Sequence, residues 1–153
     1  LRHLRKHYFR LKGAIARQAG DYASAADLGR MAVAGLPFPY SLNDDHAVYY
    51  ESLALTAEAA GEVDRAIGIR QDIRVLTSGR LLFGDLYARN YYRLGKLFLR
   101  KNLRTEAADA FETFLRLWAR ADSGRPEIAD ALQMLAALKI PRPRPASKTA
   151  PAP

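Results

Sequence analysis

The chain has 153 residues, 49% hydrophobic and 26% charged, a balance typical of one soluble globular domain. It has no cysteine, which excludes disulfides, zinc–thiolate sites and cysteine nucleophiles. No apolar run approaches the ~20 residues that a membrane-spanning helix needs. The net charge of +8 lies at the ends, because residues 1–20 and 139–153 hold six and four basic residues and no acid.

Hydrophobic periodicity predicts helices along almost the whole chain. Large apolar residues recur at three- and four-residue steps in the first of them, at Leu1, Leu4, Tyr8, Leu11 and Ile15. We expect this apolar face to pack on a second helix, over Ala23 to Ala34, which follows the break at Gly20-Asp21.

Five further helices follow in chain order. Asn43, Asp44 or Asp45 is predicted to cap a third helix that ends near Ala60, and Asp85 to cap the fifth. The predicted bounds are Val63 to Leu76 for the fourth helix, Asp85 to Lys101 for the fifth, Thr105 to Ala119 for the sixth and Pro126 to Leu138 for the seventh. The tail, 140–153, is rich in Pro, Ala and basic residues, and this composition predicts disorder.

The turns within the helix pairs are evenly spaced. Gly20, Gly61 and Asn102 are successively 41 residues apart, which suggests an internal repeat. The third pair resembles a tetratricopeptide repeat, because it carries the family's bulky and small residues in order, at Tyr91, Leu94, Gly95, Phe98, Ala107 and Phe111. The match is weaker elsewhere: Arg70 and Gly29 replace the last aromatic, and Lys12 replaces the leucine.

The resemblance implies an all-α fold, a right-handed α-α superhelix of about three helix pairs with a capping helix. The domain would span 1–139, with pairs at about 6–39, 47–80 and 88–121 and the cap at 126–138. Gly95 and Ala107 would face each other where the helices of the third pair cross. The sequence also resembles the C-terminal repeat arrays of bacterial multidomain signalling proteins, which carries no activity onto this chain.

In this family the first helix of each pair lines a groove that binds protein segments. Carried over by position, the partner-binding residues would be Arg10, Arg17, Arg89, Tyr92, Arg93, Lys96 and Arg100. Such a basic surface suits an acidic peptide or a C-terminal carboxylate. Arg89 and Arg93 occupy positions of the family's carboxylate clamp, but Leu11 and Ser52 stand where asparagines are expected.

The sequence offers little for catalysis or metal binding. His3 and His7 have a spacing that can hold a metal but lack a third ligand, so surface histidines are the favoured interpretation. Glu51 and Glu58, seven residues apart, are interpreted as surface patterning. No nucleophile, base and stabiliser occur together, so we predict neither an enzyme nor a cofactor.

Two other functions compete with protein binding. The basic first helix could serve a nucleic-acid-binding regulatory module, although the middle of the chain is net acidic. The chain could instead be a spacer or dimerisation module of a larger signalling enzyme. The first helix could also lie on an anionic membrane, but its apolar face would be needed by the second helix. A cytoplasmic location is expected.

Overall fold

The computed structural model describes residues 2–36, 45–76, 83–120 and 125–138. These ranges contain seven helices: α1 (Arg2–Gln18), α2 (Tyr22–Ala34), α3 (His46–Ala59), α4 (Val63–Val75), α5 (Gly84–Arg100), α6 (Arg104–Leu117) and α7 (Pro126–Leu138). The all-α prediction is confirmed. The predicted tail, 140–153, and the predicted capping residues Asn43 and Asp44 lie outside the described residues.

The helices pack as consecutive antiparallel pairs. α1 packs on α2, α3 on α4 and α5 on α6, while α7 packs on α6. Neighbouring pairs are joined by contacts of α2 with α3 and of α4 with α5. The first helices of the pairs also touch in turn, since α1 contacts α3 and α3 contacts α5. This pairwise stacking is the arrangement expected of a helical solenoid.

The three turns within the pairs have the same backbone geometry. Gly20, Gly61 and Asn102 all have positive φ, of 81°, 77° and 58°. In each turn the next amide donates to the carbonyl five residues before it, as Asp21 does to Ala16 at 3.0 Å. Glycine ends helices in this way at no steric cost, and asparagine is among the few other residues that tolerate it. The equivalence suggested by the 41-residue spacing is therefore confirmed.

Neither Asp45 nor Asp85 makes the predicted helix cap. Asp45 occupies the position before α3, but its carboxylate makes no capping bond and accepts instead from Lys6 Nζ at 2.9 and 3.1 Å. Lys6 is only 4% exposed, so it requires a nearby counter-charge. Asp85 lies inside the first turn of α5, which begins at Gly84. Its negative charge there interacts favourably with the positive end of the helix dipole.

The buried apolar side chains are fewest and smallest in the first pair and form the larger cluster in the third. In the first pair the buried apolar side chains are the alanines Ala25 and Ala32, and the second pair adds Ile69 and Ile73. The third pair and α7 form the largest cluster, which contains Ala88, Leu94, Phe98, Ala107, Ala110, Phe111, Phe114, Ala131 and Leu138. The larger apolar cluster thus lies in the part of the fold that carries the clearest repeat pattern.

Gly95 of α5 lies in close contact with a side chain of α6. A Cβ built on Gly95 would lie 2.6 Å from Cε1 of Phe111, and the next nearest atoms also belong to that ring. The ring of Phe111 thus fills the space over Gly95, and the expected contact of Gly95 with Ala107 stays a prediction. Ala107 itself is fully buried.

The apolar face of α1 does not pack on α2, contrary to the prediction. Leu1 lies outside the described residues, and the other four members are all more than half exposed: Leu4 at 61%, Tyr8 at 55%, Leu11 at 56% and Ile15 at 65%. The opposite side of α1 is buried, at Lys6 and Gly13. A Cβ on Gly13 would lie 3.3 Å from the carbonyl oxygen of Ala25. Because α1 and α2 approach closely at this point, the side of α1 that carries the small residue packs on α2, and the apolar side does not.

Candidate functional site: the inner face of the first helices

We call the side of the fold where α1, α3 and α5 contact one another in turn the inner face. The seven predicted binding residues lie on two of these helices, α1 and α5. At its α1 end the inner face is built around Tyr49, which is 2% exposed. The hydroxyl of Tyr49 lies 2.7 Å from Nδ1 of His7, and the guanidinium of Arg10 lies 5.7 Å from the ring centroid. Burial, and then the carboxylate of Asp45, raise the pKa of Tyr49 to about 12, so the phenol remains neutral.

Arg10 and Arg17 connect α1 to α3. Besides the contact of Arg10 with Tyr49, Nη1 of Arg17 donates to the backbone carbonyl of Ser52 at 3.2 Å. These two arginines of the predicted site are therefore engaged within the fold. They are separated from the predicted residues on α5 by the row of α3 side chains.

A buried guanidinium joins the second and third pairs. Arg70 is 0% exposed; its Nε donates to Glu58, and its Nη1 donates to Glu51 at 2.8 Å and to Asn90 at 3.0 Å. The amide of Asn90, also 0% exposed, returns a hydrogen bond to the carbonyl oxygen of Arg70 at 2.8 Å. We call Arg70, Glu51, Glu58 and Asn90 the Arg70 cluster.

The Arg70 cluster corrects the interpretation of Glu51 and Glu58 as surface patterning. Both side chains are 19% exposed, and both hold a charge inside the fold. A signal for this was present in the sequence. Arg70 replaces the aromatic of the repeat pattern, and a charge at a core position requires partners of opposite sign. Two carboxylates two turns apart on the preceding helix are suitable partners.

Four predicted residues gather around one open pocket of about 250 Å³ on the inner face. Its lining is Glu58, Tyr92, Arg93, Lys96, Leu97 and Arg100. Arg93 Nη1 donates to Glu58 at 3.1 Å, and Glu58 also accepts a hydrogen bond from Arg70. The one carboxylate among these lining residues is therefore already bound to two arginines. Arg100 is exposed and forms no hydrogen bond or ion pair with the described residues.

α7 supplies further carboxylates to the α5 side of the site. Glu127 Oε1 lies 3.4 Å from Nε of Arg89, whose guanidinium also stacks over Trp118 at 5.5 Å. The hydroxyl of Tyr92 donates to Asp130, and burial together with this bond raises the pKa of Tyr92. Lys96 Nζ lies 3.8 Å from the same carboxylate of Asp130.

The two predicted clamp positions are therefore both engaged by internal carboxylates. Arg89 faces Glu127, and Arg93 faces Glu58 and, at 3.7 Å, Glu51. Among the predicted cations of α5, Arg100 has no carboxylate partner in the part of the chain that the structure describes, and Lys96 has one only at 3.8 Å, in Asp130. A further anion reaching this surface would meet those two side chains first.

Neither a metal site nor a membrane span is found in the ranges that the structure describes. No three His, Cys, Asp or Glu side chains come together there as metal ligands would. His7, considered for a metal with His3, contacts Tyr49. No helix in those ranges is both long and apolar enough to cross a membrane.

Solved structures with this arrangement are known. The Yersinia enterocolitica type III secretion chaperone SycD, in complex with a peptide of the translocator YopD, is similar at TM-score 0.69 and 18% identity over 87% of this chain and 91% of that one. The chain has a tetratricopeptide-like fold. PcrH from Pseudomonas aeruginosa is similar at TM-score 0.65 and 18% identity, over 88% of this chain and 92% of that one. The Sgt2 TPR domain from Aspergillus fumigatus is similar at TM-score 0.60 and 18% identity, over 88% of this chain and 76% of that one.

These likenesses extend to the fold alone, because identity is low throughout. No protein-family model matches the chain, and no curated protein matches it in sequence. The tetratricopeptide-like prediction is confirmed at the level of the fold.

Proposed function

We propose that this chain is a protein-binding module that holds an extended or helical segment of another protein, or of its own parent chain, along the inner face. The observation that carries the proposal is the pocket beside α5, where Lys96 and Arg100 are exposed cations next to Leu97 and Tyr92. The likeness to SycD, which was solved with a bound peptide, supports a binding role for this architecture.

The preferred ligand is a segment with an acidic side chain or a free C-terminal carboxylate. A guanidinium can donate two parallel hydrogen bonds to a carboxylate, and Arg100 is available to do so. Lys96 adds a second positive charge one turn away. Arg93 lines the same pocket, Arg89 contacts α7, and Arg10 and Arg17 contact α3 farther along the inner face.

The test is selection from a library of random short peptides, followed by affinity measurement with the strongest binder. We expect the selected peptides to be enriched in acidic residues. Lys96→Glu with Arg100→Glu should weaken binding at least about tenfold with little change in melting temperature, because both side chains are exposed.

The matched control is Arg116→Glu with Arg120→Glu, which makes the same change of charge on exposed residues of α6 and the turn after it. It should leave affinity within about twofold. Equal losses in both double variants would indicate a general charge effect. Unchanged binding in the Lys96 and Arg100 variant would refute the assignment of the pocket.

The other functional expectations remain predictions. A nucleic-acid-binding role is less favoured, since two of the predicted arginines, Arg89 and Arg93, already contact internal acids. A spacer role, a signalling parent protein and a cytoplasmic location are independent of the pocket. Binding without catalysis is the function that we propose.

A further inference from the structure

α1 presents a narrow apolar ridge on the side facing away from the fold. We call Leu4, Tyr8, Leu11 and Ile15 the α1 seam; each is more than half exposed. Their spacings of four, three and four residues are those of heptad positions a and d, which form the contact line of coiled coils. The seam is therefore patterned for a specific contact, although it takes no part in the core.

The width of the seam indicates what covers it. At 100° per residue the four side chains fall within an arc of roughly 60°. A helix lying on a bilayer buries a much broader apolar face, whereas a strict a/d ridge matches a second helix. The geometry thus favours a helix over a membrane surface.

The charges beside the seam indicate the chemistry of that helix. Arg5 and Lys12 occupy the flanking e positions, both are exposed, and residues 1–20 contain no acid. An antiparallel second copy would place Arg5 against the Lys12 of the other copy. A parallel second copy would offer neither residue a carboxylate from its own α1. Charges at the flanking positions determine which helices pair in coiled coils. Arg5 and Lys12 therefore favour a partner helix that carries acidic residues at its flanking positions.

We propose that the α1 seam binds an amphipathic α-helix of a partner protein, one with apolar a and d positions and Glu or Asp at the flanking positions. This surface faces away from the buried side of α1 and is separate from the pocket beside α5. The chain would then bind two segments at once, one on the inner face and one along α1.

The probe is a synthetic helix with Leu at a and d and Glu at e and g, which repels itself and so remains monomeric. We expect calorimetric titration of the full chain to show binding that Leu4→Ser with Leu11→Ser weakens at least tenfold. The control, Val75→Ser with Leu132→Ser, removes exposed apolar side chains elsewhere, 72% and 54% exposed, and should leave affinity unchanged.

A charge reversal distinguishes specific binding at the α1 seam from nonspecific hydrophobic association. Arg5→Glu with Lys12→Glu should weaken the Glu probe and strengthen a matched probe with Lys at e and g. Circular dichroism checks that every variant remains folded, which the exposure of all four substituted α1 residues favours.

Three results would overturn the proposal. The unaltered chain could bind the Lys probe as tightly as the Glu probe. Sedimentation could show a dimer that becomes monomeric on Leu4→Ser with Leu11→Ser, which would make a second copy the occupant. Vesicles containing phosphatidylserine could bind the chain in a way that the same variant abolishes, which would make an anionic lipid surface the occupant.

Discussion

At the scale of single residues, Arg70 shows how a charge can replace an apolar side chain of a repeat. Desolvating a guanidinium costs several kcal/mol unless all its donors are paired in good geometry. Here Glu51, Glu58 and Asn90 surround it, and Asn90 binds its backbone as well. The replacement therefore depends on residues of two different helix pairs.

Removing the charge should expose this dependence. We expect Arg70→Met to lower the free energy of unfolding by about 3 kcal/mol, because Arg93 would be the one cation left beside Glu51 and Glu58 among the described residues. Urea denaturation followed by circular dichroism measures the change. Arg65→Met is the control: Arg65 forms an exposed pair with Glu62 and should change stability by about 1 kcal/mol or less. Similar losses in the two variants would contradict the role of the Arg70 cluster.

At the scale of helices, the ends were predictable and the buried face of α1 was not. Helix ends depend on local residues such as Gly20 and Gly61, and the predicted bounds agree with the structure to within one or two residues. The face that packs depends on tertiary context. In α1 the packed side contains Lys6 and Gly13, which carry no apolar pattern, so hydrophobic periodicity indicated the exposed side.

Two glycines inside helices offer a test with opposite signs. Gly95→Ala should lower stability by about 1–3 kcal/mol, because its Cβ would overlap the ring of the fully buried Phe111. Gly68→Ala in α4 should raise it by about 0.5–1 kcal/mol, since open space surrounds that position and alanine favours helix. Thermal melting of both variants is sufficient. A rise in melting temperature for both would show that Phe111 yields without cost.

At the scale of the whole molecule, stability should be unevenly distributed. Each pair of a solenoid contacts mainly its neighbours, so the packing within each pair contributes locally. The first pair buries small side chains such as Ala25 and Ala32, whereas the third buries Phe98, Phe111 and Phe114. Folding of the first pair therefore depends most on its neighbour.

Native-state hydrogen exchange should reveal this gradient. We expect amides in the middle of α1 and α2 to have protection factors at least about tenfold below those of α5 and α6. Mass spectrometry of peptic fragments resolves the helices. Uniform protection across the three pairs would mean that the array opens as one cooperative unit, in contradiction to the prediction.

The inner face was predictable only in part. The repeat pattern placed Tyr92, Arg93, Lys96 and Arg100 on one helix, and all four line the pocket. The acids that compensate part of this charge lie far away in sequence, with Glu58 35 residues from Arg93 and Asp130 38 residues from Tyr92. Periodicity within one helix carries no information about such partners.

The Arg70 cluster has a consequence for how this array can diversify. Repeat arrays commonly change length by duplication or loss of whole units, which requires that every unit fit every other. Here the buried Arg70 of the second pair exchanges hydrogen bonds with the side-chain amide of Asn90 in the third pair. Recombination that placed a unit without this amide after the second pair would remove these hydrogen bonds and leave Arg70 with Glu51 and Glu58 alone, so the second and third pairs are matched to each other.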